Sequence, residues 1–242
     1  MRSRLRLSDL PLTRQDVLYH VGHLNPAYRT RSHSLEGECL SASLCPESWE
    51  CVARLGGSPT LTLTRPGALF IDAHRAGREE IARACEEAVR DGMMISAPWY
   101  RVWFFDGEAD DWRTMGFWDH AEALAELDPD DDPDGCPSDT GELMDKVNGY
   151  RLTPEGERRL GRFPSEPVFC EDAALLLLAH RLAEPEPDLC GIYWDELDDI
   201  EILSAPRFAI LPERLTEFMV RGPEGEMAFA EYVHAASAGP AP

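Results

Sequence analysis

The run Thr60-Leu61-Thr62-Leu63-Thr64 alternates polar and apolar side chains with strict period two. Successive side chains on a strand point to opposite sides, so this pattern commits the segment to a strand with one buried face. Short β-prone runs recur along the chain. Val17-Leu18-Tyr19-His20-Val21-Gly22 ends in glycine, Cys39-Leu40-Ser41-Ala42-Ser43-Leu44 alternates, and Ala68-Leu69-Phe70-Ile71-Asp72 follows Pro66-Gly67. Trp99 to Phe105 reads as an aromatic strand, and Ile200 to Leu211 as a further one. Helical stretches lie between them without a regular βαβ rhythm, which indicates an α+β fold.

The clearest helix spans residues 78–90. Ile81, Ala82, Cys85, Ala88 and Val89 share a face, and Glu79/Arg83 and Glu86/Arg90 stand at i,i+4. Pro46 opens a short helix through Trp49, Val52 and Ala53, stopped by Gly56-Gly57. Helices are also expected at 118–127 and 171–183, with Pro212 to Phe218 as a short closing helix or turn. Residues 1–16 read as a basic, loose or edge-packed lead-in, 24–38 as a loop, and 235–242 as a frayed tail.

The chain has 242 residues, of which 43% are hydrophobic. That is enough for one domain with a sizeable core, and too apolar for a disordered chain. The expectation is a single domain over 1–242 with an acidic insertion at about 106–165. With 23 basic against 45 acidic residues, the net charge of −22 argues against nucleic acid and anionic lipid as partners. The N-terminus is charged without an apolar core, so no secretory signal is expected, and no apolar run approaches the length of a membrane span. The seven cysteines form no CxxC pair, so reduced thiols in a cytoplasmic protein are expected rather than a disulfide framework or a zinc ribbon.

The charge is uneven. Residues 106–145 hold 15 acids and a single base, Arg113, whereas residues 1–35 carry six arginines against two aspartates. The stretch Asp128–Asp139 is broken by proline and glycine and reads as a solvated acidic loop. It lacks the ligand order of an EF-hand. The whole 106–145 stretch is a candidate surface for a basic partner. His20, His23, His33 and His74 do not complete a recognisable metal spacing, so no metal is assigned.

Three segments carry the chemistry when taken in order. They are Leu18-Tyr19-His20-Val21-Gly22, then Ser41-Ala42-Ser43 followed by Pro46-Glu47-Ser48-Trp49, then Asp199-Ile200-Glu201 ahead of an apolar run with Pro212 and Leu215. Together they resemble the ADP-ribosyltransferase superfamily, in its poly(ADP-ribose) polymerase-like and toxin-like forms. That resemblance implies two small, mostly antiparallel sheets enclosing an NAD cleft, flanked by helices and interrupted by the acidic loop.

It also implies roles. His20 would contact the ribose hydroxyls of NAD, and Gly22 would present its backbone to the nicotinamide amide. Ser41 or Ser43 would hold the site together, and Trp49 would supply an aromatic shelf. Glu201 would stabilise the oxocarbenium-like transition state as nicotinamide leaves, with Asp199 orienting the acceptor. A fixed carboxylate suits that chemistry because the sugar gains positive charge as the bond breaks. Arg29 and Arg31 could bind the pyrophosphate, or form a solvated surface pair. The implied activity is transfer of ADP-ribose from NAD to a macromolecular acceptor, a protein given the net charge, as in a bacterial or phage toxin or effector. Alternatives are an NAD glycohydrolase and a non-catalytic acidic binding or inhibitor protein on the same fold.

Overall fold

The computed structural model describes residues 3–24, 37–52, 56–106, 111–125, 145–161, 171–197 and 204–238. A 3-10 turn at Leu7–Asp9 leads into β1 (Leu12–Arg14) and β2 (Val17–Val21), then β3 (Leu40–Ser43) and α1 (Pro46–Val52). Next come β4 (Thr60–Thr64), β5 (Leu69–Asp72) and α2 (Arg78–Arg90), followed by β6 (Met94–Asp106), β7 (Asp111–Phe117) and α3 (His120–Ala125). After β8 (Asp145–Leu152), α4 (Pro154–Leu160) and α5 (Glu171–Ala183), the chain forms β9 (Leu189–Leu197) and β10 (Ser204–Ile210). A 3-10 segment at Pro212–Glu217, β11 (Met219–Gly222), β12 (Gly225–Ala228) and α6 (Phe229–Ala238) complete it.

The architecture is α+β, as expected, but the sheets differ in size from the expected small pair. One sheet has nine strands in the order β1-β5-β9-β10-β3-β2-β4-β11-β12, and the other has three, β7-β6-β8. The large sheet is mixed, because β5 runs parallel to β9 while its other pairings are antiparallel. The basic lead-in is edge-packed: Leu5 is buried, and β1 pairs with β5 at the sheet edge.

Two cores sandwich the large sheet. Ile71, Ile192 and Ala209 face α2 and α5, while Phe70, Leu18, Ala42, Leu61 and Phe208 face the opposite layer, which Leu215, Phe229 and Tyr232 complete. Consecutive Phe70 and Ile71 are both fully buried because a central strand with covered faces must be apolar on each parity. The Leu175–Leu178 run of α5 is buried throughout, each leucine contributing about 1.5–3 kcal/mol.

On α2 the buried residues are Ala84, Cys85, Glu87 and Ala88, so the expected stripe is shifted and Ala82 is exposed. The shift has a polar cause. Glu87 accepts from the Leu5 amide at 2.5 Å and from Arg181 at 2.7 Å. Arg83 reaches back to the Ser3 carbonyl and to Asp9 rather than to Glu79.

The acidic stretch 106–145 is more than a loop. It supplies β7 and α3, and β8 begins at its end. Trp99 packs edge-on against Trp118, with centroids 4.7 Å apart. A side chain at Gly116 would collide with the Trp99 ring, so glycine there lets the tryptophan lie across β7. Asp128–Asp139 falls outside the described residues, as does the 24–38 loop apart from its ends. Residues 235–238, read as tail, complete α6.

Candidate functional site

The expected site residues that are described lie on or beside neighbouring strands in the middle of the large sheet. β10, β3 and β2 are neighbours, so the Ser41-x-Ser43 strand lies between the His20 strand and the strand that follows Glu201. Asp199 and Glu201 fall in 198–203, between β9 and β10, and Arg29 and Arg31 in 25–36; all four lie outside the described residues.

Register assigns each side chain to a face. Tyr19, Ser43, Arg207 and Trp194 are successive cross-strand partners through β2, β3, β10 and β9, so they form one row on one face. His20 is one residue past Tyr19 and pairs with Leu61 of the opposite core, so it projects from the other face. The structure therefore brings His20 together with Gly22, and Ser43 together with Trp49. It sets these two pairs on opposite faces. β10 also enters the row from the 198–203 side, whereas His20 and Gly22 lie beyond the row at its other end.

His20 is oriented by the neighbouring strand. Its Nδ1 donates to the Ser41 carbonyl oxygen at 2.7 Å. Gly22 makes room for the ring. It sits at φ +135°, and an added Cβ would lie 3.1 Å from His20 Nε2. The Gly22 amide donates to the Pro59 carbonyl at 2.9 Å, which ends β2 beside β4.

Ser43 serves the fold. Its side chain is fully buried, and its Oγ donates to the Pro206 carbonyl at 2.5 Å while accepting from the Cys45 amide at 3.0 Å. One hydroxyl thus ties β3 to β10 and to the start of α1. Of the two serines, Ser43 is the one whose side chain holds these strands, while Ser41 contributes its carbonyl.

Trp49 on α1 is only 6% exposed, and its ring lies under the Arg207 guanidinium, 4.5 Å from the centroid. Trp194 flanks the same guanidinium at 5.2 Å. Arg207 is thus stacked between two indoles, an arrangement that planar arginine favours. Burial pulls its pKa down to about 10. The Trp49 face that would serve as a shelf is covered by this arginine. Arg207 and Trp194 were not among the expected site residues; the alternation Trp194/Ile192 and Arg207/Ala209 is the sequence signal for their shared face.

A second cluster lies on the helices. His180, 6% exposed, places Nδ1 3.0 Å from Glu213 Oε1. Burial pushes the Glu213 carboxyl up, but the His180 hydrogen bond and charge outweigh it and hold the group below its usual range. Among the described residues there is no group of histidine, cysteine or acidic side chains arranged to hold a metal. Among the described residues no helix is long and apolar enough to cross a membrane. Cys39, Cys45, Cys85 and Cys190 carry thiols rather than disulfides. Comparison of the chain with protein-family models, with curated proteins and with solved structures found no match.

Proposed function

We propose that the chain is an NAD-dependent ADP-ribosyltransferase that modifies a macromolecular acceptor, a protein in view of the net charge of −22. The observation that supports this reading is the adjacency of β10, β3 and β2, which sets the strands of His20 and of Ser41-x-Ser43 next to the strand that follows Glu201 in sequence. In this reading His20, steered by the Ser41 carbonyl, contacts the ribose hydroxyls, and the Gly22 backbone meets the nicotinamide carboxamide. Ser43 keeps the strands in register. Glu201, in the connection that feeds β10, stabilises the positive sugar as the nicotinamide bond breaks. Asp199 orients the acceptor, and Arg29 and Arg31 meet the pyrophosphate.

The test follows nicotinamide release and transfer of label from NAD to protein. The full chain releases nicotinamide and labels an acceptor, and Glu201→Gln, with an unchanged melting curve, does neither. Full activity in Glu201→Gln overturns the role of that residue. Absence of NAD binding at millimolar concentration overturns the whole reading. Free ADP-ribose without any labelled acceptor identifies a glycohydrolase instead.

One observation favours a second reading, a non-catalytic binding protein on the same scaffold: Trp49 is already stacked by Arg207, and Ser43 is fully buried. Tight binding to a basic protein through the 106–145 stretch, without NAD binding, is its signature.

A further inference from the structure

We propose that the cleft between α2 and α5 binds a small zwitterion with an apolar body, the class to which a free apolar α-amino acid such as leucine belongs. The cleft encloses about 220 Å³. That is below the roughly 300–1,000 Å³ of pockets that hold drug-sized ligands, so it excludes a dinucleotide and suits a small metabolite. None of His20, Ser43 or Trp49 lines it, so the site is independent of the proposed transferase chemistry.

The floor is apolar, formed by Ala88, Ala174, Leu177 and Leu178 on the facing sides of the two helices. The charged rim sorts itself by partner. Arg181 is bound to Glu87 at 2.7 Å, and Asp91 is bound to Arg4 at 2.5 Å. Arg159, from α4, and Glu184, just past α5, are exposed and make no ion pair or side-chain hydrogen bond among the described residues, although Arg159 is near enough to Glu213 to lower its pKa. The cleft thus offers one cation and one anion, neither held in an ion pair among the described residues, over an apolar floor.

His180 adds a third polar group. It stands in the wall of the cleft, nine-tenths buried, with Nδ1 committed to Glu213. An ionised carboxylate only accepts, so Nδ1 carries a proton. Nε2 is buried without a hydrogen-bond partner. The Glu184 carboxylate asks for a donor, which an ammonium supplies. Arg159 asks for a carboxylate. A plain acid answers only Arg159, and a plain amine answers only Glu184. A zwitterion answers both.

The experiment is calorimetric titration of the full chain with L-leucine, isovalerate, isoamylamine and glycine. Leucine binds, and the other three bind at least about tenfold more weakly, because each lacks one of the three complementary parts. Arg159→Met and Glu184→Gln each weaken leucine about tenfold, some 1.4 kcal/mol. Both leave the melting temperature unchanged, because both side chains are exposed. The proposal falls if leucine gives no binding up to about 10 mM, well above a millimolar dissociation constant. It also falls if isovalerate or isoamylamine matches leucine, or if both variants bind leucine as the parent chain does.

Discussion

The Nδ1 of His20 stands 2.7 Å from the carbonyl oxygen of Ser41, although the two side chains project from opposite faces of the sheet. The imidazole is therefore steered by the backbone of β3. This separates its structural part from its chemical part. His20→Ala removes one hydrogen bond and costs about 1 kcal/mol. His20→Asn places an amide N–H where Nδ1–H was, and keeps stability within about 0.5 kcal/mol, since the bond is remade. Both lose nicotinamide release if His20 contacts NAD. Urea unfolding alongside a release assay reads the two effects apart. Equal activity in the asparagine variant and the parent chain removes His20 from the site.

Gly22 is the second backbone determinant of the same corner. At φ +135° an L side chain is strained, and its Cβ would press on the His20 ring at 3.1 Å. Gly22→Ala costs about 1–3 kcal/mol from backbone strain. It also displaces the imidazole from Ser41, so the histidine ring resonances shift in NMR. A variant as stable as the parent chain, with unmoved ring resonances, contradicts this account.

Ser43 is worth more to the fold than its size suggests. Its hydroxyl answers the Pro206 carbonyl and the Cys45 amide in a fully buried setting. Ser43→Ala leaves both groups short of a partner and destabilises by about 1–3 kcal/mol. Denaturant unfolding with an unchanged m value is the measurement.

The parts legible in the sequence were those with strong local signals. The period-two run at 60–64, the short runs around His20 and Ser41, and the helix at 78–90 appear where the patterns put them. What the sequence hid was set by long-range pairing. β1 is only Leu12–Arg14, and it is a strand because β5 is beside it. β7 lies inside the acid-rich stretch, and its sequence Asp111–Phe117 has no period-two apolar pattern; it is a strand because β6 pairs with it. α4 did carry a local signal that was overlooked. Thr153 caps it by accepting from the Gly156 amide, Pro154 opens it, and Gly161 closes it in the left-handed region. The face assignment at the candidate site depends on register between β2, β3 and β10. Single-residue offsets reverse faces, and no local pattern fixes them.

Arg207 is a filler as much as a charge. Its guanidinium stacks between Trp49 and Trp194, 4.5 and 5.2 Å from the two ring centroids. Arg207→Ala opens a gap between the indoles and costs about 2–4 kcal/mol, the range of large-to-small changes in packed sites. Arg207→Lys keeps charge but not the planar stack, and costs about 1 kcal/mol. Tryptophan emission shifts to the red in the alanine variant as water reaches Trp49. Unshifted emission with parent-like stability refutes the sandwich.

Glu213 gives the acid limb of stability a named contributor. Its carboxyl is held below the ordinary value of 4.5 because the His180 hydrogen bond and charge outweigh the effect of burial. A carboxyl whose folded pKa is depressed stabilises the fold above the unfolded value, and that stabilisation disappears as pH falls through the folded value. Glu213→Gln keeps an oxygen for Nδ1–H and removes only the charge. The side chain is 42% exposed, so the loss at neutral pH stays under about 1 kcal/mol after solvent screening. The difference between the two proteins shrinks as pH falls below the ordinary carboxyl value, and vanishes once the parent carboxyl is protonated. Urea unfolding from neutral pH down to about pH 3, below both carboxyl values, follows it. A difference that grows on acidification reverses the sign and places the stabilising charge elsewhere.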